Sequence, residues 1–351
     1  MSAVLDVPMA APRAATRSDG VWTAAWRRFR SDRIGLAALV IVAGFVVLIA
    51  LAALGLVASG WQIERAVPNA PPTFVGAAPK QAEGAAAQAG GAYVDLTDID
   101  PLAPRYREWA ERAAKLQTTE TKKAETLAFG ADRLGRDVIA KTIKGAQISV
   151  FVGVLAAVVA TAIGTVLGAC AGFFGGRVGD GLEWFYNVFT AIPGILLIFA
   201  FAAVAGRGVQ SVVLILGLTG WTGVYRLVRA EFLKHSVRDY VRAAEAIGAG
   251  AAARIFRHIL PNASHVVLVQ LSILVVAFIK AEVILSYLGL GVGVDQVSWG
   301  TMLAEAQSEL ILGYWWQLVA ATAMMAVFVT AFSLMTDALR DALDPKLRGL
   351  E

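Results

Sequence analysis

The chain has 351 residues, of which 57% are hydrophobic and only 17% are charged. An ordinary soluble domain carries about a quarter of its residues as charged side chains, so this composition excludes that class of protein. The net charge of +4 is too small to indicate nucleic-acid binding, and a single cysteine excludes a disulfide framework.

Long apolar runs predict membrane-spanning helices. A hydrocarbon core of about 30 Å needs roughly 20 helical residues, and six segments approach or exceed that length. They are residues 34–58, 148–174, 184–206, 208–225, 266–294 and 310–336. We therefore predict an all-α, polytopic membrane protein with six transmembrane helices.

Basic residues predict the orientation of these spans. Six arginines precede the first run, which places the N-terminal tail in the cytoplasm under the positive-inside rule. They are Arg13, Arg17, Arg27, Arg28, Arg30 and Arg33. The first run is too long for a signal-peptide core, so we expect it to be retained. Six spans then return the C-terminus to the cytoplasm.

This topology divides the chain into five parts. We predict a cytoplasmic tail with an interfacial helix (1–33), a first span (34–58), a long extracytoplasmic loop (59–147), a membrane core (148–338) and a cytoplasmic tail (339–351). The core includes a cytoplasmic segment at residues 231–263. Within the long loop, residues 100–129 look helical and charged, either as a docking surface for an external partner or as a solvated insertion.

Glycine and proline mark two features of the second and third spans. Four glycines recur at four-residue spacing, namely Gly164, Gly168, Gly172 and Gly176. Small residues on one face allow helices to pack closely in lipid, so we expect a tight helix contact there, with a glycine-lined substrate path as the alternative. Pro193 removes a helix hydrogen bond and predicts a kink in the third span.

The most informative segment is residues 236–261, SVRDYVRAAEAIGAGAAARIFRHILP. Apolar residues recur along one face of a helix that Gly248 and Gly250 should end. A second helical piece follows, and we expect Pro261 to end it. The segment therefore predicts a helix–turn–helix that protrudes from the membrane.

Here the sequence resembles the permease subunits of ABC importers. Their hallmark is Glu-Ala-Ala in a cytoplasmic segment, then a Gly four residues on and a Leu-Pro some twelve residues later. The matching residues of this chain are Arg242, Ala243, Ala244, Gly248, Leu260 and Pro261. The resemblance implies that the segment is a coupling helix held in a groove of an ATPase subunit, with Tyr240 and Glu245 in the same contact. Arg242 replaces the family's Glu, so any salt bridge of that Glu is absent, reversed or supplied by Glu245.

Weaker motifs narrow the resemblance to the dipeptide/oligopeptide branch, in its second-permease (C-type) subunit. They are WRRFRSDRIGL (26–36), FGADRLGRDV (129–138), GFFGG (172–176), AIPG (191–194), LSYLGLG (285–291) and DALDP (341–345). The long loop and the Arg-Ala-Ala triplet are similar to those of Yej-type peptide permeases.

The resemblance implies an importer of dipeptides or oligopeptides in the bacterial inner membrane. Its expected partners are a homologous permease subunit, two ATP-binding subunits that hold ATP and Mg, and an extracytoplasmic solute-binding protein. Nickel, glutathione or opines are alternative substrates. A membrane assembly or signalling component without transport activity is the alternative of another class.

We predict no catalytic site, metal site or cofactor in this chain. Residues 135–142 nearly spell a phosphate-binding loop, but Ala140 replaces its second glycine. The three histidines lack the spacing of metal ligands.

Lys280 and Glu282 are the only charges inside a predicted span. Ionisable residues in a membrane are costly and often functional. Two residues apart, they should point to different helix faces. Both are candidates for the substrate path or a subunit contact, with purely structural placement as the alternative.

Overall fold

A computed structural model of the chain describes residues 21–76, 100, 102, 105–106, 108–109, 111–112, 123–293 and 295–343. Its helices are α1 (Val21–Ser31), α2 (Arg33–Ala53), α3 (Val138–Phe174), α4 (Gly176–Thr190), α5 (Gly194–Ala205), α6 (Val209–Thr219), α7 (Thr222–Ser236), α8 (Asp239–Ala246), α9 (Ala251–Tyr287), α10 (Trp299–Ile311) and α11 (Trp316–Leu343). The protein is an all-α polytopic membrane protein.

The candidate spans agree with the predicted number. In the described part of the chain, α2, α3, α9 and α11 are each long and apolar enough to cross a membrane alone. The pairs α4–α5 and α6–α7 add two more if each bent pair is one span. The bend between α4 and α5 is 81°, which confirms the kink predicted at Pro193.

Three predicted boundaries move for local reasons. Span one ends at Ala53 rather than 58, because the chain turns at Gly55 with a φ of +73°. Helix α3 begins at Val138, where the Asp137 carboxylate caps it by accepting from the Ile139 amide, so the predicted loop boundary at 147 lies inside α3. The apolar run 310–336 is divided between α10 and α11, because Gly313 ends α10 with a φ of +91°.

The described part of the long loop folds back on the start of α3. Isolated β-bridges join Glu64 to Arg136, Ala66 to Ala124 and Pro72 to Leu127. The helix predicted over 100–129 is therefore wrong for residues 123–129, whose backbone groups pair with residues 65–73 instead. The described residues between 105 and 112 are helical. Residues 77–99 and 113–122 lie outside the described part.

Helix α3 is the central element of the core. Its buried residues pack against α6, α9, α10 and α11 in one cluster that includes Val152, Leu216, Ile279, Trp299 and Phe328. Lipid is as apolar as these side chains, so close packing rather than escape from water stabilises the contacts.

The glycine contact lies between α3 and α7. A Cβ at Gly164 would come within 2.6 Å of the Trp221 carbonyl oxygen. A Cβ at Gly168 would come within 2.7 Å of the Tyr225 carbonyl oxygen, and a Cβ at Gly172 would come within 2.6 Å of the Arg229 carbonyl oxygen. The two backbones therefore touch along three turns, where no larger residue fits.

Gly176 does not join this contact, contrary to the prediction. Helix α3 ends at Phe174, and Gly176 starts α4 with a φ of +47°. A Cβ at this position would meet no heavy atom within 4 Å. Gly176 makes the turn between two helices, where a left-handed backbone favours glycine.

Candidate functional site

We call residues 237–261, between α7 and the membrane part of α9, the coupling segment, after the role that the resemblance implies. Helix α8 ends in an elbow at Gly248, whose φ is +90°. The Gly248 amide donates to the Glu245 carbonyl and the Ala249 amide donates to the Ala244 carbonyl, both at 2.9 Å. This pattern is a Schellman motif, which satisfies the last carbonyls of α8 and requires a left-handed residue at Gly248.

One face of α8 anchors the segment to the membrane helices. Val241 and Ala244 are buried, and Val241 packs in a cluster with Phe232 of α7 and with Ile255 and Ile259 of α9. Tyr240 is partly exposed, and its hydroxyl hydrogen-bonds to Nδ1 of His235 at 2.8 Å. The buried face holds α8 firmly against its neighbours.

The opposite face is open and partly apolar. Arg242, Ala243 and Glu245 are exposed. Ile247, which directly follows α8, is 86% exposed, and Phe256 of α9 is 67% exposed. Large exposed apolar side chains beside charged ones are typical of a surface that binds another protein.

Glu245 and Arg254 join the two sides of the elbow. Their ion pair has 2.6 Å between Oε1 and Nη1. The Arg254 guanidinium also lies 5.2 Å from the ring centroid of Phe173, at the end of α3. Arg254 therefore connects α8 to α3 through one side chain, by charge on one side and by a cation–π contact on the other.

Arg242 makes no ion pair with another described residue, whereas Glu245 is paired inside its own segment. Sequence reasoning left the partner of Glu245 open and missed Arg254. The signal was present only as a basic residue just beyond the predicted elbow, which does not by itself identify a partner.

Pro261 does not end the second helical piece, so that prediction is wrong. Residues Arg254–Ile259 form a π-helix, and α9 continues through Leu260 and Pro261 to Tyr287. In a regular α-helix the proline ring would clash with the carbonyl four residues earlier. The wider π-turn before Pro261 relieves this clash. Leu260 is half-buried beside the cluster that anchors α8.

Glu282 is fully buried within the chain and joins three helices. Its Oε2 accepts from the Ser149 hydroxyl of α3 at 2.7 Å, and its Oε1 accepts from the Ser286 hydroxyl at 2.6 Å. The Ser149 oxygen in turn accepts from the Trp299 amide of α10. Glu282 has no exposed surface in this structure, and its hydrogen bonds within the chain support the alternative of structural placement.

Lys280 is exposed, on a different face of α9 from Glu282. It lines a cleft of about 190 Å³ between α9 and α11. Asp337 of α11 lines the same cleft.

A buried charged cluster that the sequence did not predict lies at the start of α3. Lys141 is 1% exposed and donates to Asp132 at 2.7 Å, to Glu305 and to Gln317. Arg136 also donates to Asp132, at 2.6 Å. Lys141 belongs to the near match to a phosphate-binding loop, and these contacts give it a structural role instead.

Two carboxyl groups of this region have pKa values that are shifted in opposite directions, although both are buried. For Asp132, burial favours the neutral acid, but the charges and hydrogen bonds of Lys141 and Arg136 outweigh it and lower the pKa. For Glu309, burial dominates and raises the pKa, although its carboxylate accepts from the Arg133 amide at 3.1 Å.

Known membrane transport proteins resemble most of the chain. A family model described as "Binding-protein-dependent transport system inner membrane component" matches residues 164–349, which include the whole coupling segment. The chain is 33% identical over 247 residues to the oligopeptide transport system permease protein OppC of Bacillus subtilis, covering 70% of this chain and 81% of that protein.

Two further relatives extend the similarity. The dipeptide transport system permease protein DppC of Lactococcus lactis is 28% identical over 322 residues, covering 92% of this chain and 90% of that protein. The glutathione transport system permease protein GsiD of Shigella dysenteriae is 36% identical over 223 residues, covering 63% and 73% of the two chains.

Proposed function

This chain belongs to the family of binding-protein-dependent transport system inner membrane components, and on that basis we propose that it is the permease subunit of an ATP-driven importer of dipeptides or oligopeptides. Relatives named as oligopeptide and dipeptide permeases support the substrate class. A glutathione permease among the relatives makes glutathione, itself a short peptide, the second candidate.

The proposed assembly places this subunit beside a homologous permease in the bacterial inner membrane, with both termini in the cytoplasm. Two ATP-binding subunits supply ATP and Mg, and an extracytoplasmic solute-binding protein delivers the peptide. The spans of the two permeases enclose the path. This chain itself hydrolyses nothing.

The observation that carries the proposal is the two-faced coupling segment. Val241 and Ala244 fix α8 to the membrane helices, while Ile247 and Phe256 project from the molecule. An ATPase subunit that covers these apolar side chains would remove them from water, which favours binding. Closure of the ATPase pair would then displace the coupling segment. The membrane helices would move with it, because the buried face of α8 is packed against them.

Two connections would carry that displacement to the spans. Helix α9 is continuous from the elbow to Tyr287, so it moves as one element. Arg254 links the same elbow to α3 through Phe173. Rigid-body movements of this kind are the usual way in which a remote change in one subunit opens or closes a path in another.

The test is ATP-dependent uptake into vesicles that contain this chain with the subunits of the neighbouring genes and the solute-binding protein. Labelled dipeptide, oligopeptide, glutathione and nickel are offered in turn. Uptake of peptides supports the proposal. Uptake of nickel alone keeps the mechanism and contradicts the substrate class. ATP hydrolysis with no uptake of any solute supports a role other than transport.

The elbow is tested in the same vesicles with Gly248→Asp. We expect this variant to insert and to lose uptake, because aspartate strains a left-handed backbone and adds charge beside the exposed face of α8. Gly313→Asp is the matched control, since Gly313 has a φ of +91° and, as at Gly248, an added Cβ would meet no heavy atom within 4 Å. Normal uptake by Gly248→Asp would contradict the role of the elbow.

A further inference from the structure

We infer that the cleft between α9 and α11 is a peptide-binding site of the transport path, in which Lys280 binds the terminal carboxylate and Asp337 binds the terminal ammonium group. This inference rests on the proposed function and adds to it the residues that contact the substrate.

The first argument is the position of Lys280. It is an exposed cation in a helix whose candidate membrane-spanning segment is strongly apolar. A lysine that faces hydrocarbon is costly, so ionisable residues in spans nearly always face a water-filled cavity or another protein group. The exposed face of α9 around Lys280 is therefore not a lipid-facing surface in the assembled transporter.

The second argument is the composition of the cleft. Besides the two charged residues, its lining includes the hydroxyl residues Ser272, Ser333 and Thr336. Its volume of about 190 Å³ equals that of about six molecules of liquid water. Such a cleft accommodates polar groups of a peptide.

A second cleft lies nearer the coupling segment. It has a volume of about 280 Å³, and its lining includes His265, Gln270 and Arg340 beside four apolar residues, one of them Leu227 of α7. From His265 to Lys280, α9 rises about 22 Å. The two clefts therefore place polar side chains at two levels of α9, separated by more than half of a hydrocarbon core of about 30 Å.

The third argument is the charge pattern. Lys280 and Asp337 share one cleft, yet among the described residues neither forms an ion pair, with the other or with a third group. A short peptide carries one ammonium and one carboxylate, separated by about 7–10 Å when two or three residues are extended. A bound peptide can therefore pair with Lys280 and Asp337 at the same time, whereas a nickel ion or a simple anion can pair with only one of them.

The alternative occupant of this surface is the second permease subunit, with Lys280 paired to one of its carboxylates. The two occupants differ in water access. A transport path admits water and small reagents and closes over the substrate, whereas a subunit contact excludes both.

Cysteine labelling in the assembled transporter distinguishes them. Cys170 is the single native cysteine, so a Cys170→Ala background that retains wild-type uptake carries no other thiol in this chain. Lys280→Cys and Asp337→Cys are each treated with a charged, membrane-impermeant thiol reagent, with and without saturating dipeptide and binding protein. Val40→Cys on α2, 66% exposed on an apolar face, is the control.

We expect labelling at both cleft positions, slowed at least several-fold by the dipeptide, and no labelling of Val40→Cys. Absence of labelling at both positions in every nucleotide state would overturn the inference and indicate a subunit contact. Labelling that dipeptide does not slow would also overturn it. If wild-type vesicles take up no peptide at all, the proposed function fails instead, so the two failures are distinguishable.

Uptake by charge variants is the second readout. Because a charge-assisted hydrogen bond to the carboxylate is lost, Lys280→Gln should slow dipeptide uptake by about tenfold, while Lys280→Arg retains most of it. Both variants should copurify with the other subunits and hydrolyse ATP. Wild-type uptake by Lys280→Gln would contradict the inference, as would loss of subunit assembly in this variant.

Discussion

Glu245 and Arg254 form an ion pair across the elbow of the coupling segment, with 2.6 Å between Oε1 and Nη1. The Glu245 side chain is 60% exposed, so water screens the pair. We expect Glu245→Gln to weaken the elbow by only about 0.2–1 kcal/mol. Its uptake per ATP hydrolysed should therefore fall slightly.

Arg254→Ala should have the larger effect, because it removes both the ion pair and the contact with Phe173. The cation–π contact adds about 0.5–1 kcal/mol to the loss. We expect uptake per ATP to fall clearly while ATP hydrolysis continues. Arg254→Lys keeps the charge without the planar guanidinium, so its uptake per ATP hydrolysed should lie between those of Glu245→Gln and Arg254→Ala. Equal uptake per ATP hydrolysed in these three variants would show that the elbow does not transmit movement through Arg254.

The contact between α3 and α7 predicts a strict size limit. Because a Cβ at Gly168 would meet the Tyr225 carbonyl oxygen at 2.7 Å, Gly168→Ala should destabilise the protein by about 1–3 kcal/mol. The measurement is the thermal unfolding midpoint of the detergent-solubilised complex. Gly181→Ala on α4 is the control, since a Cβ there meets no heavy atom within 4 Å. A midpoint unchanged in Gly168→Ala would show that the two helices can separate freely.

The buried cluster around Lys141 predicts a large cost for removing one charge. Lys141→Met leaves Asp132 buried and without its main partner, which should cost about 3–5 kcal/mol. Lys123→Met removes a lysine that also pairs with a carboxylate, Glu64 at 2.8 Å, but on an exposed surface. Its expected cost is about 0–1 kcal/mol. Similar losses in the two variants would contradict the structural role of the cluster.

The raised pKa of Glu309 predicts that the substitution Glu309→Gln stabilises the protein by an amount that depends on pH. Its pKa lies above the ordinary 4.5 because burial disfavours the carboxylate, so ionisation weakens the fold as pH rises above that value. Glu309→Gln removes this penalty and can still accept from the Arg133 amide. We expect a higher unfolding midpoint than wild type at neutral pH, and a difference that shrinks as the pH falls towards about 4.5. The neighbouring residues Asp132, Glu305 and Lys141 are present in both proteins, so the comparison isolates Glu309.

Features that depend on neighbouring residues along the chain were predictable. An apolar run identifies a span, Pro193 lacks an amide hydrogen and bends a helix, and Gly168 has no side chain to hold a neighbour away. Each property belongs to the residue itself and acts within a turn or two. The sequence therefore predicted the spans, the main bend and three members of the glycine contact.

Features that depend on residues far apart in the chain were not predictable from the sequence. Lys141 and Glu305 lie 164 residues apart in the chain, and no local pattern indicates that they pair. The path of α9 through Pro261 depends on a π-helix, whose extra residue per turn leaves no periodic signal in six residues. The cleft of Lys280 and Asp337 likewise exists only because α9 packs beside α11.

One close contact between α9 and α3 lies far from the middle of α9. Gly153 of α3 lies directly against Ile279 of α9, where its lack of a side chain lets the two helices approach. About 42 Å of α9 lies between this contact and the N-terminal end of the helix, and about 12 Å lies between the contact and its C-terminal end. If α9 tilts as a rigid rod about this contact, its N-terminal end moves more than three times as far as its C-terminal end. Under the proposed function, a large displacement of the coupling segment would therefore produce a small displacement at the far end of α9.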